Sequence, residues 1–479
     1  MDALLAPLSY VLWVAVALGI LVTVHELGHF LAARLFKMRV DAFSIGFPPN
    51  VVDKQVGATR YRLGAVPLGG YVKIAGMVDE SLDVEGLESE PAPDEFRAKP
   101  VWQRMIVISA GVIFNLILAA LLYAALAFTY GVPYTPVENV RLEVAEGSIA
   151  ADIGLETGDR VVAVNGDPVE RWEQVFTPGT LAADPFQLTV ERGGERVELT
   201  GPGDLLTQFS RRQRALEQAG EPALLPNVFG AGAQLPSVLA DVQPGSAADE
   251  AGLRPGDRVL SIDGRPAETW DLLTGIVAGS EGRPLTVRWA RPDSLAAGGA
   301  VAGARVVETR GAATVYEAAV TPRSSGDRYL LGVVVDEAAL GQRIDRVGVG
   351  AALAAGTQRT ASITGATFAF IGKLVTGRES VRENVGGPLI IAKQSKEAAD
   401  RGLAEFWNFV AYLSIALAVF NVLPIPALDG GQLVFLAYEA IARREPSLKV
   451  RMVVQQVGVA LILALMVFVI FNDAVRWFG

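Results

Sequence analysis

The chain has 479 residues, 51% of them hydrophobic and 20% charged, and a formal net charge of −10. Soluble domains carry about 25% charged residues, so much of this chain is expected not to face water, and the negative balance excludes a protein built to neutralise nucleic-acid phosphates. There is no cysteine, which removes disulfides, thiolate zinc sites, cysteine nucleophiles and iron–sulfur clusters together, and there are only two histidines.

The first apolar run, Ala3 to Val24, is free of charge and long enough to cross a bilayer, which needs about 20 apolar residues. Only Asp2 precedes it, and it continues into His-Glu, so it reads as a retained span and not as a signal peptide. His25-Glu26-Leu27-Gly28-His29 follows at once. On a helix, residues i and i+4 share a face, so both imidazoles can reach one ion. Glu26, about 100° further round the helix, would stand beside a water on that ion. The bland alternative is a helix end that carries polar groups at the membrane edge. Against it, both histidines of the chain fall inside the pattern, and ionisable groups at the end of an apolar run are costly and functional.

Short strand-like runs between Phe43 and Ile74, set off by Gly and Pro, predict a hairpin. The acidic stretch from Asp79 to Glu95 reads as a solvated loop. A second span is expected within Met105 to Val137, of which about 25 residues can be embedded.

The segment that follows repeats itself. Gly147-Ser148-Ile149-Ala150, Gly154-Leu155-Glu156-Thr157-Gly158-Asp159-Arg160-Val161 and Asn165-Gly166 recur 98 residues later as Gly245-Ser246-Ala247-Ala248, Gly252-Leu253-Arg254-Pro255-Gly256-Asp257-Arg258-Val259 and Asp263-Gly264. Repeats define architecture. A small-residue helix start, a Gly-Asp turn, a strand and an Asn/Asp-Gly turn resemble a bacterial PDZ domain. Two PDZ-like α/β domains are expected, 138–202 and 230–325, joined by a linker 203–229, with the Ala/Gly-rich stretch 295–304 inserted in the second. Peptide capture at a sheet edge and simple size filtering are both open roles for them. In the connector 326–405, the 13 uncharged residues between Arg359 and Lys373 are too few for a span and suit a helix lying on the membrane surface.

The third run, Phe406 to Tyr438, is interrupted only by Asp429, and the fourth is Met452 to Asn472. A catalytic zinc needs a third protein ligand. With no histidine or cysteine left, a carboxylate is required, and Asp429 is the only charged residue between Glu405 and Glu439. Helix capping beside Pro424, Pro426, Gly430 and Gly431 would explain its type but not its place in an apolar segment. His25 lies 22 residues after Ala3 and Asp429 lies 23 after Phe406, so both approach the same side of the bilayer. Basic residues collect after span one (Arg34, Lys37, Arg39), before span two (Arg97, Lys99, Arg104) and between spans three and four (Arg443, Arg444, Lys449, Arg451). These loops are therefore expected inside, with the N-terminus and 138–405 outside. The expected domains are thus 1–137 with two spans and the hairpin, the two outer domains and their linker, the connector, and 406–479 with the last two spans.

The histidine motif, together with Asn421-Val422-Leu423-Pro424-Ile425-Pro426-Ala427-Leu428-Asp429-Gly430-Gly431, resembles the site-2 protease family of intramembrane zinc metalloproteases, and within it the bacterial regulator of sigma-E protease group. The resemblance runs in order along nearly the whole chain, and Gly386-Gly387-Pro388 matches as well. One departure is Val112, where such proteins often have proline. The resemblance implies that His25, His29 and Asp429 bind Zn2+, that Glu26 is the catalytic base, and that Asn421 holds the substrate or polarises the scissile carbonyl. It also favours a β-loop that re-enters the membrane beside the zinc, so that Gly46, Phe47, Gly69 and Gly70 would meet an unwound substrate. The implied substrates are single-span proteins in the bacterial cytoplasmic membrane, such as pre-trimmed anti-sigma factors, and signal peptide remnants. The zinc site would lie near the cytoplasmic side. A catalytically silent PDZ scaffold has no need of Glu26, and a metal transporter would need a route across the membrane that one closed site does not provide.

Overall fold

The computed structural model describes residues 2–77, 90–181, 183–219, 225–295, 303–325, 328–376 and 386–478. Most of the acidic stretch and of the Ala/Gly-rich insertion lies outside these residues. The chain forms two compact units, Met1–Val132 with Arg346–Gly479, and Pro133–Asp345.

The first unit contains helices α1 (Asp2–Leu35), α2 (Val101–Tyr130), α3 (Val349–Val375), α4 (Pro388–Arg401), α5 (Leu403–Val422), α6 (Asp429–Ala442) and α7 (Leu448–Phe478), with strands β1 (Val40–Val56) and β2 (Thr59–Ile74) after α1. Among the described residues, four helical stretches are long and apolar enough to cross a membrane: Ser9–Leu35, Val101–Tyr130, Leu403–Val422 and Lys449–Asp473. The first and the third depart furthest from the runs read off the sequence. The first continues through the histidine motif, because nothing in His25–His29 breaks the helix. The third stops at Val422, because Pro424 and Pro426 lack the N–H that the next turn would need. The chain then turns through Ala427 at φ +79° and starts α6 at Asp429.

Glycines let the backbones touch where the site is built. A Cβ on Gly28 of α1 would lie 2.7 Å from the Ala110 carbonyl carbon of α2. The helices close there, and Ala32, Ala33, Val107, Ile108 and Ala110 form one buried cluster. Further along α2, Ala119 and Tyr123 pack with Ala411, Ile415 and Val419 of α5. Helix α3 does not behave as a short surface helix. It is 27 residues long and packs along α2: Gly356 lies against Ala120 and Ala124, the Arg359 guanidinium stands 4.7 Å from the Tyr123 ring centroid, and Ile363 and Ile371 join the α2–α5 cluster. At the end of α7 the buried Asp473 carboxylate accepts from the backbone N–H groups of Gly387 (2.9 Å), Leu389 (3.1 Å) and Ile390 (3.3 Å), satisfying the N-terminus of α4.

Strands β1 and β2 fold as a layered hairpin. Residues 42–45 face Lys73–Gly70 on one side and Arg60–Leu63 on the other, while Asp53–Val56 face Arg62–Thr59. The Gly70–Ile74 row is thus an edge, lined on one side by β1. Phe43 and Val72 pack in the α1–α2 core, whereas Val51, Val52 and Val56 at the far end are exposed.

The second unit holds two β-rich cores. In the first, Gln187–Arg192 pairs with Arg160–Val164 and Glu195–Thr200, and Leu142–Val144 pairs with Ala231–Ala233. In the second, Leu285–Pro292 pairs with Arg258–Ile262 and Ala313–Val320, and Leu239–Val242 pairs with Val333–Val335. The repeat signals do the same work in each. Ser148 and Ser246 cap short helices by accepting from Ala151 N and Asp249 N. Asn165 and Asp263 take φ of 52° and 49° in the turns that follow the central strands. Buried Asp159 and Asp257 bind Arg192 and Arg291. The boundaries differ from those expected. The described residues of 203–229 are not a plain spacer: Leu205–Ala219 is a helix, and Leu205 and Phe229 are buried in the first core. The closing strand of each core lies beyond its expected limit, at Ala231–Ala233 and Val333–Val335, because a pairing partner distant in sequence completes each sheet.

Candidate metal centre

Helix α1 presents His25 and His29 on one face, with ring centroids 4.8 Å apart and planes at 79°. Asp429 approaches them from the N-terminus of α6. The loop before it is held by close backbone contacts: a Cβ on Gly431 would lie 2.5 Å from Ile425 O, and one on Gly458 of α7 2.5 Å from Pro426 Cβ. Three donor atoms converge. His25 Nε2 lies 3.1 Å and His29 Nε2 3.4 Å from Asp429 Oδ2, and the two nitrogens are 3.2 Å apart.

This triangle fits a tetrahedral metal. Zinc holds nitrogen and oxygen ligands at about 2.0–2.1 Å, so neighbouring ligands of a tetrahedron stand about 3.3–3.4 Å apart. Both histidines are buried, and among the described residues Asp429 Oδ2 makes no well-formed hydrogen bond although two ring nitrogens face it. His29 Nδ1 lies 2.8 Å from the Val107 carbonyl. A carbonyl only accepts, so Nδ1 carries the proton and Nε2 presents its lone pair to the shared point. On the other ring, His25 Nδ1 lies 3.2 Å from Asn115 Nδ2, and Ser414 of α5 donates to the Asn115 carbonyl at 2.8 Å. Gly111 makes room for both rings: a Cβ there would stand 2.7 Å from His25 Cε1 and 2.8 Å from His25 Nε2.

The donor atoms open onto a cleft of about 490 Å³ walled by Glu26, by the β2 edge from Gly70 to Ile74, and by Phe47, Arg62, Met77 and Gln432. Glu26 sits against this edge, with Gly70 backed onto its side chain, since a Cβ on Gly70 would lie 3.2 Å from Glu26 Cγ. Arg62 donates to the Tyr71 hydroxyl at 2.8 Å on the same wall.

Of the residues expected from the sequence, His25, Glu26, His29 and Asp429 come together here, and Phe47 and Gly70 line the cleft. Gly69 lies behind it, where the Phe47 ring takes the space a side chain would need, and Gly46 takes φ +83° under the Gly64 carbonyl. Asn421, in the last turn of α5, is half-buried and is not among the cleft residues. Sequence reasoning passed over Gly111, Asn115, Tyr71 and Gln432. Asn115 carried a signal, as the one amide in the apolar run from Met105 to Tyr130. The others carry none without the fold.

The profile described as Peptidase family M50 matches residues 13–465. The chain is similar to the protease RseP of Yersinia pestis, with 33% identity over 469 residues covering 96% of this chain and 97% of that protein. It is similar to the regulator of sigma-E protease RseP of Escherichia coli strain K12, with 33% identity over 485 aligned positions and coverage of 96% and 97%. It is also similar to a Neisseria meningitidis protein whose name contains the words zinc metalloprotease, with 33% identity over 474 residues and coverage of 97% and 98%.

Proposed function

Because this chain belongs to peptidase family M50, we propose that it hydrolyses a peptide bond within or beside the membrane span of single-span proteins. It is a zinc metalloprotease and an integral membrane protein with four apolar helices of spanning length. The observation that carries the reading is the convergence of His25 Nε2, His29 Nε2 and Asp429 Oδ2 beside the Glu26 carboxylate in one cleft.

In this reading His25, His29 and Asp429 hold the zinc. When bound, the metal polarises the scissile carbonyl and makes water acidic near neutral pH. Glu26 takes the proton of the attacking water on its carboxylate and returns it to the leaving amide nitrogen. A membrane helix hides its carbonyls in its own hydrogen bonds, and an unwound segment needs partners where there is no water. The Gly70–Ile74 edge supplies them by pairing with the substrate as an added strand. Phe47, whose ring stands beside Gly69 next to that edge, contacts the substrate from the same side, and Gly46 and Gly69 shape the strands there.

The two β-rich cores are read as PDZ-like domains outside the cytoplasm. They hold back proteins with bulky outer domains or capture peptide ends. The substrates are anti-sigma factors already trimmed by another protease, and signal peptide remnants. The location is the bacterial inner membrane with the N-terminus outside and the zinc site near the cytoplasmic face, supported by the basic residues Arg34, Lys37, Arg97, Arg443 and Arg444 at the ends of the spans nearest the site.

The test compares wild type with Glu26→Gln in lipid vesicles on a single-span peptide without an outer domain, with zinc content measured alongside. Equal zinc and a rate lowered by about 10²–10⁴-fold is the result expected for loss of a general base. Equal zinc and equal rates remove Glu26 from the mechanism.

A further inference from the structure

Asn115 is fully buried on α2, and among the described residues its side-chain Oδ1 has no hydrogen-bond partner. An orphaned buried carbonyl oxygen is costly, so its place beside a histidine of the site calls for a physical reason. The two histidines differ on the side away from the shared point. His29 is held by the Val107 carbonyl, which dictates a proton on Nδ1. His25 faces the Asn115 amide, whose Nδ2 stands 3.2 Å from Nδ1.

For Nε2 of His25 to bind a metal, Nδ1 must carry the ring proton. An amide NH2 facing that N–H sets donor against donor and leaves Oδ1 unpaired. A half-turn about χ2 exchanges the two ends of the amide within the same volume. Oδ1 then accepts from Nδ1–H, and both mismatches vanish together. The opposite orientation serves the opposite tautomer, in which Nε2 is protonated and cannot be a ligand. Ser414 donates to the Asn115 backbone carbonyl, which ties this turn of α2 to α5 without engaging the side-chain amide.

We propose that Asn115 is a positioning residue for His25: its Oδ1 accepts from Nδ1–H and so fixes the tautomer that leaves Nε2 free for zinc. It does for His25 what the Val107 carbonyl does for His29, and being neutral it adds no charge to a buried site. The proposal rests on His25 being a zinc ligand, as the functional reading has it.

The chain has only two histidines, so a sample labelled with 15N-histidine reports two rings and nothing else. The full-length protein in lipid nanodiscs is titrated with zinc against a competing chelator, and the ring tautomers are read from the Nδ1 and Nε2 shifts. The variants are Asn115→Leu, similar in volume and apolar, and Asn115→Asp, which as a carboxylate only accepts. Asn115→Leu is expected to lose about 10–100-fold in zinc affinity, the range for removing a ligand's outer hydrogen bond. Its His25 Nδ1–H signal shifts while that of His29 stays. Asn115→Asp is expected to keep wild-type affinity or exceed it. Wild-type affinity in Asn115→Leu, with both rings unchanged, would mean that Asn115 only fills space and overturns the proposal. Weaker binding by Asn115→Asp than by Asn115→Leu would make Asn115 a donor and overturns it as well. If Asn115→Leu does not fold, Asn115→Asp decides alone: retained affinity supports acceptance, and loss of affinity excludes it. No zinc binding by wild type would instead remove the metal reading itself.

Discussion

Gly111 of α2 lies directly against His25 of α1, so close that a methyl group on Gly111 would stand 2.7 Å from His25 Cε1. The absence of a side chain at 111 is therefore part of the candidate metal centre. Gly111→Ala is expected to push the His25 ring off the shared point and weaken zinc binding at least about tenfold, while the helices still insert, because a tight site cannot absorb an added methyl without displacing its neighbours. A zinc titration on the purified variant checks this, and unchanged affinity would show that α2 can slide away from α1.

Arg104 of α2 and Glu439 of α6 form a buried ion pair at 2.5 Å, with side chains 5% and 10% exposed, and Arg451 of α7 approaches the same carboxylate at 3.8 Å. The pair ties α2 to the helix that begins with Asp429. Glu439→Ala leaves buried Arg104 with only the half-exposed Glu445 carboxylate at 3.7 Å and is expected to cost about 3 kcal/mol, whereas replacing both Arg104 and Glu439 by Met and Leu is expected to cost less. Thermal unfolding of the single and double variants in detergent separates the two outcomes.

Asp473 satisfies three N–H groups at the start of α4. Asp473→Ala is expected to fray that helix end at a cost of about 1–2 kcal/mol. Faster amide hydrogen exchange at Gly387, Leu389 and Ile390, with α5 unaffected, is the signature. Asn at 473 keeps an acceptor and should fray it less.

The equivalent pairs Asp159–Arg192 and Asp257–Arg291 differ in burial: Arg192 is 30% exposed at its side chain and Arg291 only 3%. Arg291→Leu leaves a buried aspartate without its partner and is expected to cost about 3–5 kcal/mol. Arg192→Leu should cost less, because water reaches the first pair. Local hydrogen exchange in the two β-rich cores of the full-length protein measures both.

The sequence by itself determined the family and the apolar helices, and it singled out the residues proposed to hold zinc. Two histidines four apart and one aspartate in an otherwise uncharged run are local signals, legible because ionisable groups are so costly in apolar surroundings. The repeat of 98 residues was equally legible, since each half must rebuild the same turn, cap and strand. Tertiary structure decided the rest. The third apolar run became two helices because Pro424 and Pro426 end the first, and that break is what presents Asp429 to the histidines. Leu205 and Phe229 joined a core because they found apolar neighbours distant in sequence. The charge-free stretch after Arg359 became part of a long helix packed on α2, where Gly356 admits Ala120 and Ala124. Gly111 and Asn115 entered the candidate site because contact with a ring on another helix depends on how two backbones approach, and no residue type records that on its own.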